Sequence, residues 1–173
     1  MRIQNSNGLG SSTTLANYIS EIQLAGDIAL SAGKTFLISN DANGGSNPLV
    51  AFRNVSGNNS IAGAITVTSG GGGLSAQSDS GLLTFSGNIT TTSATRRFVL
   101  QGAANGVVSG SILDNAGNST LTKNGAGTWT LGGANTYNGT TTINAGTLSV
   151  SNIVVSGGSS NMGNATKIGR AHV

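Results

Sequence analysis

The 173-residue chain has no cysteine, one proline and one histidine, and only 8% of its residues are charged. The lack of cysteine excludes a disulfide framework, thiolate metal sites and catalysis by a thiolate. It also suits a chain that crosses a membrane unfolded, because no disulfide can close a loop before passage. No apolar run approaches the roughly 20 residues of a membrane-spanning helix, so none is expected. The opening Met1-Arg2-Ile3-Gln4-Asn5 does not have the basic-then-apolar order of a signal peptide, so any export signal is expected upstream. A typical soluble domain is roughly 25% charged. With so little charge, this chain must stay in solution through Ser, Thr and Asn, which with 28 glycines favour strand faces and turns over helices. An all-β fold is expected, and collagen is excluded.

Charge of one sign is also scarce where it would matter. The pI of about 9.8 comes from eight basic against five acidic residues, a net charge of +3. Binding phosphates needs several cations gathered on one surface. The only adjacent pair is Arg96-Arg97, read as a solvated strand edge, where charge discourages pairing between sheets. No nucleic-acid partner is expected. The last seven residues, Lys167 to Val173, fit no repeat and read as a cloning or sequencing-adapter scar. The domain reading is therefore a β-helical segment over 1–166 followed by a foreign tail over 167–173. Without Lys167 and Arg170 the charge falls from +3 to +1, and without His172 no histidine is left.

What the chain does contain is a repeat. The pattern of an apolar residue, a small residue and glycine recurs at Leu24-Ala25-Gly26, Ile61-Ala62-Gly63, Phe85-Ser86-Gly87 and Val108-Ser109-Gly110, and more weakly at Leu131-Gly132-Gly133 and Val155-Ser156-Gly157. From Gly63 onward the glycines are spaced by 24, 23, 23 and 24 positions. Gly26 to Gly63 is longer by about 14, an excess assigned to a loop over Asn40–Pro48, which is dense in turn formers. Apolar residues alternate within each unit, as in Ile65/Val67, Phe98/Leu100 and Trp129/Leu131, which is the pattern of strands with one buried face. Asn43-Gly44, Asn105-Gly106, Asn124-Gly125 and Asn138-Gly139 are expected at corners. Units of about 23 residues with short strands and no helix predict a right-handed parallel β-helix, one unit per coil and about six coils.

One stretch goes beyond periodicity. Leu121-Thr122-Lys123-Asn124-Gly125-Ala126-Gly127-Thr128-Trp129-Thr130-Leu131, followed by Asn135-Thr136-Tyr137-Asn138-Gly139-Thr140-Thr141-Thr142-Ile143-Asn144-Ala145-Gly146-Thr147-Leu148, closely resembles the autotransporter-associated β-strand repeat. The match spans 121–150, and Ala32 to Ile38 looks like a degenerate copy of Ala145 to Val150. The resemblance implies a structural stalk unit in the β-helical passenger of an exported bacterial protein, at the cell surface or released. In that family either a C-terminal outer-membrane β-barrel handles passage in type V secretion, or a long repeat protein lacks one. Trp129, Leu131, Ile143, Leu148 and Val150 are expected in the core. The Tyr137 hydroxyl is expected at a turn, Gly125, Gly127, Gly139 and Gly146 at corners, and Lys123 on a solvated strand face.

No catalytic, cofactor-binding or metal-binding residue is expected, and no cofactor. Glycan hydrolases do occur on β-helices, and they need two carboxylates roughly 5 to 10 Å apart. Of Glu21, Asp27, Asp41, Asp79 and Asp114, only Asp41 and Asp79 nearly coincide in offset from a signature glycine, which makes them the best candidates for the alternative reading, a carbohydrate-active enzyme. Gly70 to Gly73 lacks the aspartate of a calcium-binding nonapeptide and reads as a corner. Thr66/Thr68 and Thr90/Thr92 share offsets, but the array breaks at Leu113 and Asn115, so they read as solubilising. A surface or glycan ligand is the most that is expected of partners.

Overall fold

Period-two alternation produces strands of two to seven residues, and the glycine-rich segments between them bend the chain before a strand can lengthen. In the computed structural model, described for residues 1–17, 21–39, 49–68, 72–92, 95–115, 117–153, 160–163 and 168–170, the chain winds as a parallel β-solenoid of about five turns. The first coil supplies β1 (Arg2–Ile3) and β2 (Thr14–Asn17). The second supplies β3 (Ile22–Ala25), β4 (Ala29–Leu30) and β5 (Thr35–Ile38), and the third β6 (Val50–Ser56), β7 (Asn58–Ile61) and β8 (Ala64–Val67). The fourth holds β9 (Gly73–Ser78), β10 (Leu82–Phe85) and β11 (Ile89–Thr91), and the fifth β12 (Arg97–Gln101), β13 (Asn105–Val108) and β14 (Ile112–Asp114). β15 (Thr120–Lys123), β16 (Thr128–Leu131), β17 (Thr141–Ile143), β18 (Thr147–Val150) and β19 (Ile168–Arg170) follow. No helix occurs among the described residues.

The strands stack into three sheets. The eight-stranded sheet runs β1-β3-β6-β9-β12-β15-β17-β19, the six-stranded sheet β18-β16-β13-β10-β7-β4 and the five-stranded sheet β14-β11-β8-β5-β2. Because each coil repeats the one below, a residue facing inward in one coil sits over an inward residue of the next. One such ladder is Ile22, Phe52, Ala76, Leu100, Lys123 and Ile143. Others are Ile61, Phe85, Val108, Leu131 and Val150 in the six-stranded sheet, and Leu15, Phe36, Ile65, Ile89 and Ile112 in the five-stranded one. Phe36, Phe52 and Phe85 meet edge to face at 5.4 and 5.5 Å between centroids. These form one continuous core, and each fully buried Leu, Ile or Phe contributes about 1.5–3 kcal/mol.

The glycine spacing has a steric cause. Gly63, Gly87, Gly110 and Gly133 lie one above another at the corner between the six- and five-stranded sheets. A Cβ on Gly87, Gly110 or Gly133 would lie 2.2 Å from the carbonyl oxygen of Gly63, Gly87 or Gly110 respectively. The backbones touch there, and only glycine leaves room.

Four expectations change. Gly26 does not belong to this column: it follows β3 at the corner before the six-stranded sheet, near Gly57, and the position under Gly63 is Lys34. Both corners want a small residue and glycine, so the pattern matched both. Ile22 pairs with Phe52, 30 positions on, against 24 from Phe52 to Ala76, so the second coil is longer by about 6, not 14. Asn40–Pro48 lies outside the described residues. The strand Thr35–Ile38 is in the five-stranded sheet and Thr147–Val150 in the six-stranded one, so the segment from Ala32 is not a copy of that from Ala145. Asn105-Gly106 lies within β13 rather than at a corner. Asn43-Gly44, Gly70, Gly71 and the Val155 copy fall outside the described residues.

The column makes a controlled prediction. Gly132, next to Gly133, has no atom within 3.6 Å of where its Cβ would stand. G133A should lower urea-unfolding stability by about 1–3 kcal/mol, while G132A should change it by less than about 0.5 kcal/mol.

Candidate functional site

The candidate acids come first. Asp41 lies outside the described residues, and its match in offset to Asp79 was counted from Gly26, which sits at a different corner from Gly63. Asp79 directly follows β9 with its carboxylate engaged: Arg53 Nε donates to Oδ2 at 2.5 Å and Gln77 Nε2 to Oδ1 at 2.7 Å. Arg53 also stands 3.9 Å from Glu21, which accepts from Gln23 at 2.6 Å, and Gln101 donates to Gln77 at 3.0 Å. Gln23, Arg53, Gln77 and Gln101 are successive rungs of the outward face of the eight-stranded sheet, so one register builds the whole polar row. The hydrogen bond that Arg53 donates to Asp79 raises the Arg53 pKa above its ordinary value. With the ion pair exposed on the surface, it adds little stability. A guanidinium joining two carboxylates leaves neither placed as a free acid opposite a free base, which is what sugar hydrolysis requires.

The cationic candidates are also placed differently from expectation. Arg97 lies in β12, paired on both sides by β9 and β15, so the pair is not at a strand edge. Alternation turns its neighbour inward: Arg96 is buried, donates from Nη2 to Thr68 O at 3.3 Å and from its backbone N–H to Ser119 Oγ at 3.0 Å. The two arginines therefore form no shared cationic surface. Thr66 pairs with Thr90, flanked in register by Leu37 and Leu113, so the hydroxyl array is two rows deep. No group of three or more His, Cys, Asp or Glu side chains that could hold a metal occurs among the described residues.

The remaining concentration of unusual side chains is over 121–150. Lys123 is fully buried rather than solvated. Alternation in β15 puts it on the inward ladder, between Leu100 and Ile143. Its ammonium donates to Asn124 O at 2.8 Å, Gly125 O at 2.7 Å and Ala145 O at 3.1 Å. A buried cation without such acceptors would be very costly. Burial pushes its pKa below the ordinary lysine value. Gly125 and Gly146 take positive φ, 74° and 68°, the left-handed corner that turns these carbonyls toward the ammonium's side of the coil.

Trp129 is also fully buried, stacked on Phe85 at 6.4 Å and donating from Nε1 to Gln101 O at 3.2 Å. It fits because its partner across the sheet is Gly106, where a Cβ would come within 2.5 Å of the indole. Tyr137 is buried with its hydroxyl 3.1 Å from Thr141 Oγ1, and burial pushes its pKa up to about 12. Leu131 is buried, while Ile143, Leu148 and Val150, on the last full coil, are half-buried.

Residues 121–150 match the passenger-associated-transport-repeat family. That match, seated on a parallel β-solenoid, fits an autotransporter passenger repeat. The search of curated proteins and the search of solved structures each returned no match. Every distinctive residue of the repeat has a packing role: Trp129 fills the space over Gly106, Tyr137 and Thr141 satisfy each other, and Lys123 holds corner carbonyls. The sequence signalled Trp129 and Tyr137 directly. It did not signal Gly106, which becomes legible only once the coil below the tryptophan is known.

Two measurements check this packing. G106A should destabilise by about 1–3 kcal/mol, and combining it with W129L should be milder than the sum of the single changes, with a favourable coupling of at least about 1 kcal/mol. Tyr137 titrates near 10 when unfolded and about 12 when folded. Between those values the unfolded state has lost its proton and the native state has not, so stability present below pH 10 falls as pH rises toward 12. The Tyr137 share of that loss is about 2–3 kcal/mol, and alkaline unfolding curves of Y137F should lack it.

Proposed function

We propose that this chain is a structural segment of an autotransporter-like passenger stalk, exported across the outer membrane and displayed at the cell surface or released. The observation that carries the reading is the family match over 121–150 on a solenoid whose ladders run continuously from the second coil into the repeat. A rod of stacked coils holds a distal part of its parent away from the cell, and its outer faces, rich in Ser, Thr, Asn and Gln, are where an adhesive contact to a surface or glycan would form. The stalk portion is 1–166 and the tail 167–173 is foreign. β19, within that tail, pairs with β17, and because strand pairing uses backbone groups and accepts almost any side chain, the pairing does not mark where the stalk ends. The chain works without catalysis, as its distinctive residues are spent on packing.

Expressed from its full reading frame in a Gram-negative host, the segment should be lost from intact cells treated with external protease while a periplasmic marker survives. Protection in intact cells, with loss only after lysis, would contradict export. A glycan-hydrolysis screen of wild type and D79N should find no activity that the substitution removes, and hydrolysis abolished in D79N would overturn the structural reading.

A further inference from the structure

We propose that the matched repeat is a two-coil unit whose halves are locked in register by Lys123, the ammonium acting as a staple through the solenoid interior. The strand pairing defines the unit. β15 pairs with β17 and β16 with β18, so apart from Thr120 the repeat carries one whole coil-to-coil interface within 121–150, while β12 and β13 pair with it from below and β19 from above. The repeat is longer than one coil because it contains a coil and most of the next, and its internal interface goes with it.

That interface differs from the one between the fourth and fifth coils, where the corresponding inward ladder is apolar, Ala76 under Leu100. Here the ladder continues into a lysine, with donors to two carbonyls of its own corner, Asn124 and Gly125, and to Ala145 in the coil above. The third bond is the one that crosses between coils. It is reinforced at the same corner by Asn144 Nδ2 donating to Asn124 Oδ1 at 2.8 Å and by Asn144 N to Lys123 O at 2.9 Å. Gly146 lies so close over the lower corner that a Cβ there would be 2.4 Å from Gly125 O and 2.6 Å from Gly127 O.

The third coil uses the same device with a different residue. Asn54, also fully buried on the eight-stranded sheet, donates to Gly57 O of its own corner at 3.1 Å and to Ser80 O of the next at 2.7 Å. Two unrelated side chains thus do one job, a buried donor spanning successive corners where the backbone bends away from its sheet partners. A slip of one residue would turn Lys123 outward and put a neighbour without that reach in its place, so the staple selects the register as well as holding it.

Since stability in a solenoid is nearly a sum over neighbouring coils, the effect of removing the staple should be local. In the 173-residue chain, K123M keeps the volume and removes the donors. Amide-exchange protection over 142–149 should fall at least tenfold, with β10 and β13 unchanged. In K123A, propylammonium, which supplies the missing atoms and charge, should restore that protection, while 1-propanol should not. Unchanged protection in K123M, loss spread evenly over all coils, or equal rescue by the alcohol overturns the proposal. If K123M does not fold, native wild type decides the matter. An amine-acylating reagent should label Lys123 at least a hundredfold more slowly than in the urea-unfolded chain, with Lys34, whose ammonium lies on the exposed carbonyls of Gly10 and Ser12, as reference. Labelling of Lys123 at the unfolded rate overturns the proposal.

Discussion

Backbone-to-backbone contact between successive coils is the constraint from which the rest follows. Parallel strands stack about 4.8 Å apart, and at the corner between the six- and five-stranded sheets that spacing brings each glycine against the carbonyl of the one below, at Gly63, Gly87, Gly110 and Gly133. Once the corners stack, the strands between them must stack too, inward residues fall on inward residues, and the aromatic contacts from Phe36 to Trp129 become possible. The polar row on the eight-stranded sheet follows from the same register: Arg53 meets Asp79, and Gln77 meets Gln101, because their coils are aligned.

A chain held together in this way has little use for charge, and its strands pair between neighbouring coils. Its interior is one narrow ladder after another, and three of the polar side chains buried there satisfy corner carbonyls or N–H groups: Lys123, Asn54, and Asn135, whose Oδ1 accepts from Ile112 N at 2.7 Å. Each would be costly to bury unpaired, and each is paired at a bend, where the ladder of sheet bonds is interrupted. The family repeat fits the same logic. It concentrates the bulkiest and the most polar interior residues of the chain on two adjacent coils, with a glycine below to make room for the tryptophan.

Much of this was legible in the sequence. Alternation gave the strands, the 23- and 24-residue spacing gave the coils, and the stretch around Trp129 and Tyr137 gave the family resemblance. The misreadings share a cause. Gly26 resembles Gly63 in sequence because both corners ask for a small residue and then glycine, and Asn105-Gly106 has the composition of a turn although its glycine makes room for an indole one coil above. Lys123 and Arg96 look solvated in sequence because a single sequence shows a residue's own alternation but not whether an acceptor waits inside. Arg53 beside Asp79 and Glu21 escaped notice because the three come from different coils and meet only in register.

Every other contact depends on that register, and the absence of cysteine makes it directly measurable. Thr84 and Val107 are outward-facing partners in adjacent coils, while Leu82 is displaced from Val107 by two residues. Paired cysteines at 84 and 107 should oxidise readily to a disulfide, because parallel neighbours fall within the 4.4–6.8 Å Cα separation the bond needs. Cysteines at 82 and 107, about 8 Å apart by strand geometry, should not. Cross-linking of the second pair in preference to the first would contradict the stacking on which every other contact depends.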